Sequence, residues 1–120
     1  MEILLVSDSC TIAEVLPPLI SPHRLHTCHT GRDAVALLAS LRPDVLILDL
    51  RLWDMPVFDV LHQSLYKPPH ILALTDLMTL DVIDAAVAAG IRNMLLIPFS
   101  PDMITAYLDE LESKNASPEA

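Results

Sequence analysis

Val45-Leu46-Ile47-Leu48 is a run of four branched aliphatics with no polar break, and it ends on Asp49. Entered through Arg42-Pro43-Asp44, it reads as a strand buried on both faces. Such strands sit at the centre of parallel sheets covered by helices. Ligand and reaction sites in those sheets lie just beyond the carboxyl ends of the strands. Asp49 is therefore where chemistry is expected.

The rest of the chain repeats the theme. Ile3-Leu4-Leu5-Val6 is a second buried run and leads into Ser7-Asp8-Ser9. Ile12, Ala13, Val15 and Leu16 form a helical stripe, expected to stop at Pro17-Pro18. From His23 to His29 the residues alternate, which predicts a shorter strand near the sheet edge. Thr30 caps a helix with Ala34, Val35, Leu37, Leu38 and Leu41 inward. After the central strand, Val60, Leu61 and Leu65 mark a third helix, closed before Pro68-Pro69. Ile71 to Thr75 is a fourth strand. Leu80, Val82, Ile83, Ala86 and Val87 mark a fourth helix, ended by Gly90. Met94 to Ile97 is a fifth strand, and Pro101 opens a fifth helix with Ile104, Tyr107, Leu108 and Leu111 inward. The alternation of strands and helices demands a parallel α/β sheet with helices on both faces and right-handed crossovers. Periodicity alone does not give the strand order. One domain is expected over residues 1–112, followed by a polar, frayed tail over 113–120.

Composition narrows the function. An apolar fraction of 52% in 120 residues suffices for one core and not for two. The net charge of −9 argues against direct binding to nucleic acid or to an anionic membrane. No apolar run approaches the roughly 20 residues of a membrane span. The chain enters its first strand directly, without a signal peptide, and Cys10 and Cys28 read as reduced thiols, so a cytoplasmic protein is expected. His23, His26 and His29 recur at three-residue spacing, but a strand throws such residues to opposite faces, so no metal site is expected there. With glycine only at 31 and 90, there is no Gly-rich phosphate loop.

Taken in order, Ile3 to Asp8, Arg42 to Leu50, Leu74-Thr75, Ala88-Ala89-Gly90 and Pro98 to Pro101 resemble the receiver domains of bacterial response regulators over nearly the whole chain. The resemblance implies a flavodoxin-like fold with strand order 2-1-3-4-5. It also implies two-component signalling, with a histidine kinase or phosphotransfer protein as partner. Asp49 matches the phosphoacceptor and Thr75 the residue that senses the phosphoryl group. Asp8, Asp49 and the backbone carbonyl of Arg51 match the positions that hold Mg²⁺.

Several positions depart from the family pattern. Ser7 stands where a second acidic residue belongs, so Mg²⁺ is expected to bind weakly. Ile97 stands where a lysine pairs with the acyl phosphate, and it neutralises nothing. Asp76 replaces a small residue after the switch threonine and adds an anion where a dianionic phosphoryl group would sit. Met94 stands where an aromatic rotates with the switch. Arg51 is the one base in these loops able to fold back over Asp49. The plainer reading, which we take as the expectation, is a solvated side chain that offers only its carbonyl. Trp53 replaces the usual loop proline, either covering the pocket, anchoring a partner or packing on its neighbours.

Two functions from different classes follow. The chain is either an inefficient phosphoacceptor or a pseudo-receiver that works by protein contact without phosphorylation. Neither is an enzyme with turnover. A small-molecule binder on the same fold is a third possibility. The family surface for partners or homodimers is helix four, strand five and helix five. Residues 77–89 hold Leu77, Met78, Leu80, Val82, Ile83 and Val87 with only Asp81 and Asp84 charged. Leu77, Met78, Ala85 and Tyr107 are the residues expected on that interaction face.

Overall fold

The computed structural model describes residues 1–20, 23–52, 54–97 and 99–116. Strands and helices alternate: β1 (Glu2–Val6), α1 (Cys10–Ile20), β2 (Arg24–Cys28), α2 (Gly31–Leu41), β3 (Val45–Asp49), α3 (Asp59–Gln63), β4 (His70–Thr75), α4 (Leu80–Ala88), β5 (Asn93–Leu96) and α5 (Pro101–Ala116). The strands form one parallel sheet in the order β2-β1-β3-β4-β5. The fold and strand order implied by the resemblance are therefore those of the structure.

The aliphatic runs are continuous because each central strand feeds two cores. Leu4, Val6, Leu46, Leu48, Ile71 and Ala73 face α2, α3 and α4, where Ala34, Leu38, Val60, Leu61 and Ala86 meet them. Ile3, Leu5, Val45, Ile47, Leu72 and Leu74 face α1 and α5, against Ile12, Leu16, Ile20, Ile104, Leu108 and Leu111. All five residues of β3 are buried, whereas in the edge strand β2 only Cys28 is. Alternate residues of one strand thus serve opposite layers.

Helix ends follow local chemistry. Thr30 and Thr79 cap α2 and α4, their hydroxyls accepting from the Asp33 and Val82 amides. Arg42 ends α2 in the left-handed region at φ 47°, with its N–H on Leu38 O. Gly90, at φ 91°, lets the Ile91 amide turn back to Ala86 O.

The boundaries correct four expectations. α1 continues through Pro17-Pro18 to Ile20. Both prolines are exposed, while Leu16 and Ile20 are buried one turn apart, so docking of that stripe outweighs the lost backbone donors. α3 is only five residues long, and Leu65 lies beyond it, 96% exposed. Val60 and Leu61 already fill the space under α2, and Ser64 ends the helix by turning to Tyr66, its hydroxyl 2.6 Å from the Tyr66 carbonyl. β5 spans Asn93–Leu96 and leaves Ile97 just outside the strand. α5 extends to Ala116, four residues past the expected domain edge. Trp53 lies outside the described residues, as does the last part of the tail, 117–120.

Candidate functional site: the acidic pocket at the sheet switch point

The strand order reverses at β1, which puts a crevice between the carboxyl ends of β1 and β3. Register across the sheet sets what meets there. Val6 pairs with Leu48, so Ser7 and Asp8 emerge beside Asp49, while Asp49 pairs with Leu74 and brings Thr75 to the same edge.

Asp49 is fully buried and completely satisfied. Ser7 Oγ donates to its Oδ2 at 2.8 Å. The Arg51 backbone amide donates to Oδ1 at 2.9 Å. The Arg51 guanidinium then grips both oxygens, Nε to Oδ1 at 3.0 Å and Nη2 to Oδ2 at 2.9 Å. This is the planar fork by which arginine recognises a carboxylate. The expectation of a solvated Arg51 is thereby overturned. A buried carboxylate needs a counter-ion, and the guanidinium is close enough on the same loop to supply one.

The charges balance accordingly. Burial pushes the Asp49 carboxyl up, but the Arg51 guanidinium, the Arg51 amide and the Ser7 hydroxyl more than offset it and hold the group below the usual carboxylate range. The Arg51 guanidinium is held above its ordinary value chiefly by its hydrogen bonds to Asp49, with the negative charges of Asp76 and Asp8 adding to this. Asp8 and Asp76 are themselves exposed.

The other site positions arrange around this pair. Thr75 is buried, and its hydroxyl is engaged with its own loop, donating to Leu77 O at 3.0 Å and accepting from the Leu77 amide at 3.1 Å. The Ile97 amide bonds Thr75 O at 2.7 Å, and the Ile97 side chain packs toward the α1 and α5 layer. Met94 packs into the opposite core. Leu77, Met78 and Ala85 are exposed. Tyr107 lies on the inner stripe of α5 with Ile104 and Leu108: its ring packs on the core and its hydroxyl is buried beside the Asn93 side chain.

Sequence reasoning missed Asp54. Its carboxylate caps α2 across the loop, accepting from the Gly31 amide at 2.8 Å and the Arg32 amide at 3.2 Å. An aspartate one turn of loop past the central strand was the available signal, but nothing local links it to residue 31. The three histidines of the β2 region bind separately, His23 near Glu112, His26 on Glu2 and His29 on Ser7 O. Burial pushes the Cys28 thiol up to about 11, with Asp33 adding to it, which leaves an unreactive thiol. The side chain of Cys10 lies outside the described residues.

Mg²⁺ requires near-octahedral oxygen ligands and keeps several waters. The residues present do not fit that requirement as arranged. Both oxygens of Asp49 are already taken by two donors each, and the Arg51 guanidinium stands at the pocket. Among the described residues, no group of three or more His, Cys, Asp or Glu converges to hold a metal.

A doubly wound sheet here carries a buried acid at its switch point, an acid after β1 and a threonine after β4. Comparison with known proteins shows which proteins share this arrangement. No family model matches the chain. It is 30% identical over 104 residues to the regulatory protein LuxO of Vibrio cholerae, covering 83% of this chain and 23% of that one. The chain thus spans about a quarter of the length of such relatives. Its structure is similar to the chemotaxis protein CheY4 of Vibrio cholerae, with a TM-score of 0.81 and 28% identity, covering 91% of this chain and 96% of that one. It is also similar to the signal receiver domain of a LuxO repressor from Vibrio parahaemolyticus, at a TM-score of 0.80 and 26% identity, covering 98% and 93%. Its relatives are response regulators and its structural neighbours are receiver domains, which supports a response-regulator receiver domain. Among its described residues, no helix is long and apolar enough to cross a membrane.

Proposed function

We propose that this receiver domain is an atypical one, signalling mainly by protein contact, with phosphorylation of Asp49 inefficient at best. The observation that carries the proposal is the apolar surface around α4. Leu80 is 77% exposed, Val87 64% and Leu77 56%, Met78 next to Leu77 is exposed as well, and Leu96 of β5 and Met103 of α5 are also exposed. Leu80 and Val87 lie seven residues apart and share one face of α4. An apolar patch of this kind marks an interface more often than free surface. Met94 packs in the core and has no aromatic rotation to offer, so the patch is available whatever the state of Asp49. The partner is a cytoplasmic protein or a second copy of the chain, not nucleic acid. Sedimentation over a concentration series is expected to show association in wild type and in Asp49→Asn alike, and its loss in Met78→Glu. Monomers throughout would remove the self-association version. Association that vanishes in Asp49→Asn would remove the constitutive one.

The phosphoacceptor reading rests on the placement of Asp49 beside Asp8 and Thr75, and on a histidine kinase or phosphotransfer partner. Under it Mg²⁺ binds weakly at best, and transfer is slow because Ile97 supplies no cation and Asp76 adds an anion. Incubation with acetyl phosphate and Mg²⁺, followed by intact-mass measurement, is expected to show little modification. Ile97→Lys with Asp76→Ala is expected to increase it. Rapid, near-complete modification of wild type that disappears in Asp49→Asn would show an efficient phosphoacceptor instead.

A further inference from the structure

We infer that the Arg51 guanidinium is the resident cation of this pocket, neutralising Asp49 in place of a divalent metal and keeping Mg²⁺ out. The inference deepens the reading above and rests on it only for the identity of the pocket, not for the docking face.

An ionised carboxylate offers about four acceptor positions. In Asp49 they are filled by the Ser7 hydroxyl, the Arg51 amide and two guanidinium N–H groups. Three of the four donors come from one residue. A metal entering here would have to displace at least one of these hydrogen bonds, shed its own tightly held water and approach a fixed positive charge. Arginine does not relieve that repulsion by losing its proton.

The substitutions around the pocket make sense on this basis. Asp76 is unfavourable beside a phosphoryl group but favourable beside a guanidinium, and its charge does act on Arg51. Asp8 acts on it in the same direction. Ser7 gives up a carboxylate's charge and instead donates a hydrogen bond to Asp49, which a second acid would not do. Ile97 brings no competing cation. The departures that weaken a metal and phosphoryl site are therefore the ones that suit a site held by an arginine.

The test is a calorimetric Mg²⁺ titration of the whole chain, wild type against Arg51→Gln, with thermal unfolding in Mg²⁺ and in EDTA alongside. Mg²⁺ is expected to bind Arg51→Gln at least about tenfold more tightly than wild type, since a unit positive charge has left the pocket. The unfolding midpoint should rise with Mg²⁺ in the variant and stay put in wild type. Equal affinity in the two proteins, or no binding by either, would overturn the inference. A measurement on wild type stands even where the variant fails to fold. The Arg51 Nε–H resonance is expected to exchange slowly with water and not to move on addition of Mg²⁺. Exchange at the rate of free arginine, or a shift on titration, would also overturn it. Neither readout involves phosphoryl transfer or association, so failure here and failure of the docking reading are separately visible.

Discussion

Leu48→Ala is expected to lower the free energy of unfolding by about 3–4 kcal/mol, read from the urea midpoint at unchanged slope. Leu65→Ala, the same change of side chain, is expected to stay within about 0.5 kcal/mol of wild type. The difference lies in what surrounds each position. Leu48 is completely buried on the central strand, between Val6 of β1 and Ala73 of β4. Sheet hydrogen bonding fixes the backbones on both sides, and the neighbour at 73 is already small. The cavity left by truncation therefore cannot collapse, and its cost adds to the lost burial. Leu65 is 96% exposed and has almost nothing to lose. A small, equal effect at the two sites would contradict the central placement of β3.

The second large effect concerns the ion pair, and it is asymmetric. Arg51→Met is expected to cost about 2–3 kcal/mol, less than the 3–5 of a fully buried pair because the arginine side chain is 34% exposed and partly screened. Asp49→Asn is expected to cost about 1 kcal/mol or less. Asp49 has no exposed surface, so without Arg51 its charge is left in the interior with only the Ser7 hydroxyl and one amide. Arg51, deprived of its acid, has water within reach of its guanidinium. Chemical denaturation of both variants at neutral pH measures the ratio. Equal costs would mean that the carboxylate, too, has access to solvent.

What the sequence made legible follows from the range of the forces involved. β1, β3 and β4 could be read because a strand buried on both faces needs unbroken aliphatics, and few other elements do. The pocket acids could be placed because strand ends converge wherever a parallel sheet reverses its order. α1 was cut short at Pro17-Pro18 because proline is a local signal, while the docking of Ile20 under the sheet depends on residues distant in sequence. α3 was drawn too long because Leu65 carries the right spacing but faces away from the core. Sequence alone favours a solvated Arg51 side chain. The deciding fact is the depth of Asp49, which turns a nearby base from an option into a requirement. Asp54 escaped notice because its partners are amides, which every sequence has in abundance.

Asp54 also bears on how the pocket could open. The segment between Asp49 and Asp54 is pinned at both ends, by the Asp49 carboxylate on the Arg51 amide and by the Asp54 carboxylate on the start of α2. Met55 lies so close to Gly31 that a Cβ there would come within 2.6 Å of its Cγ, so even the bare backbone of α2 is braced against the loop. Arg51 and Asp54 are thus each held where they stand. Arg51 would leave Asp49 by breaking its two guanidinium hydrogen bonds and turning about its own side-chain bonds, without a loop excursion. Opening would leave the backbone almost still, so the two forms would differ in charge distribution far more than in shape.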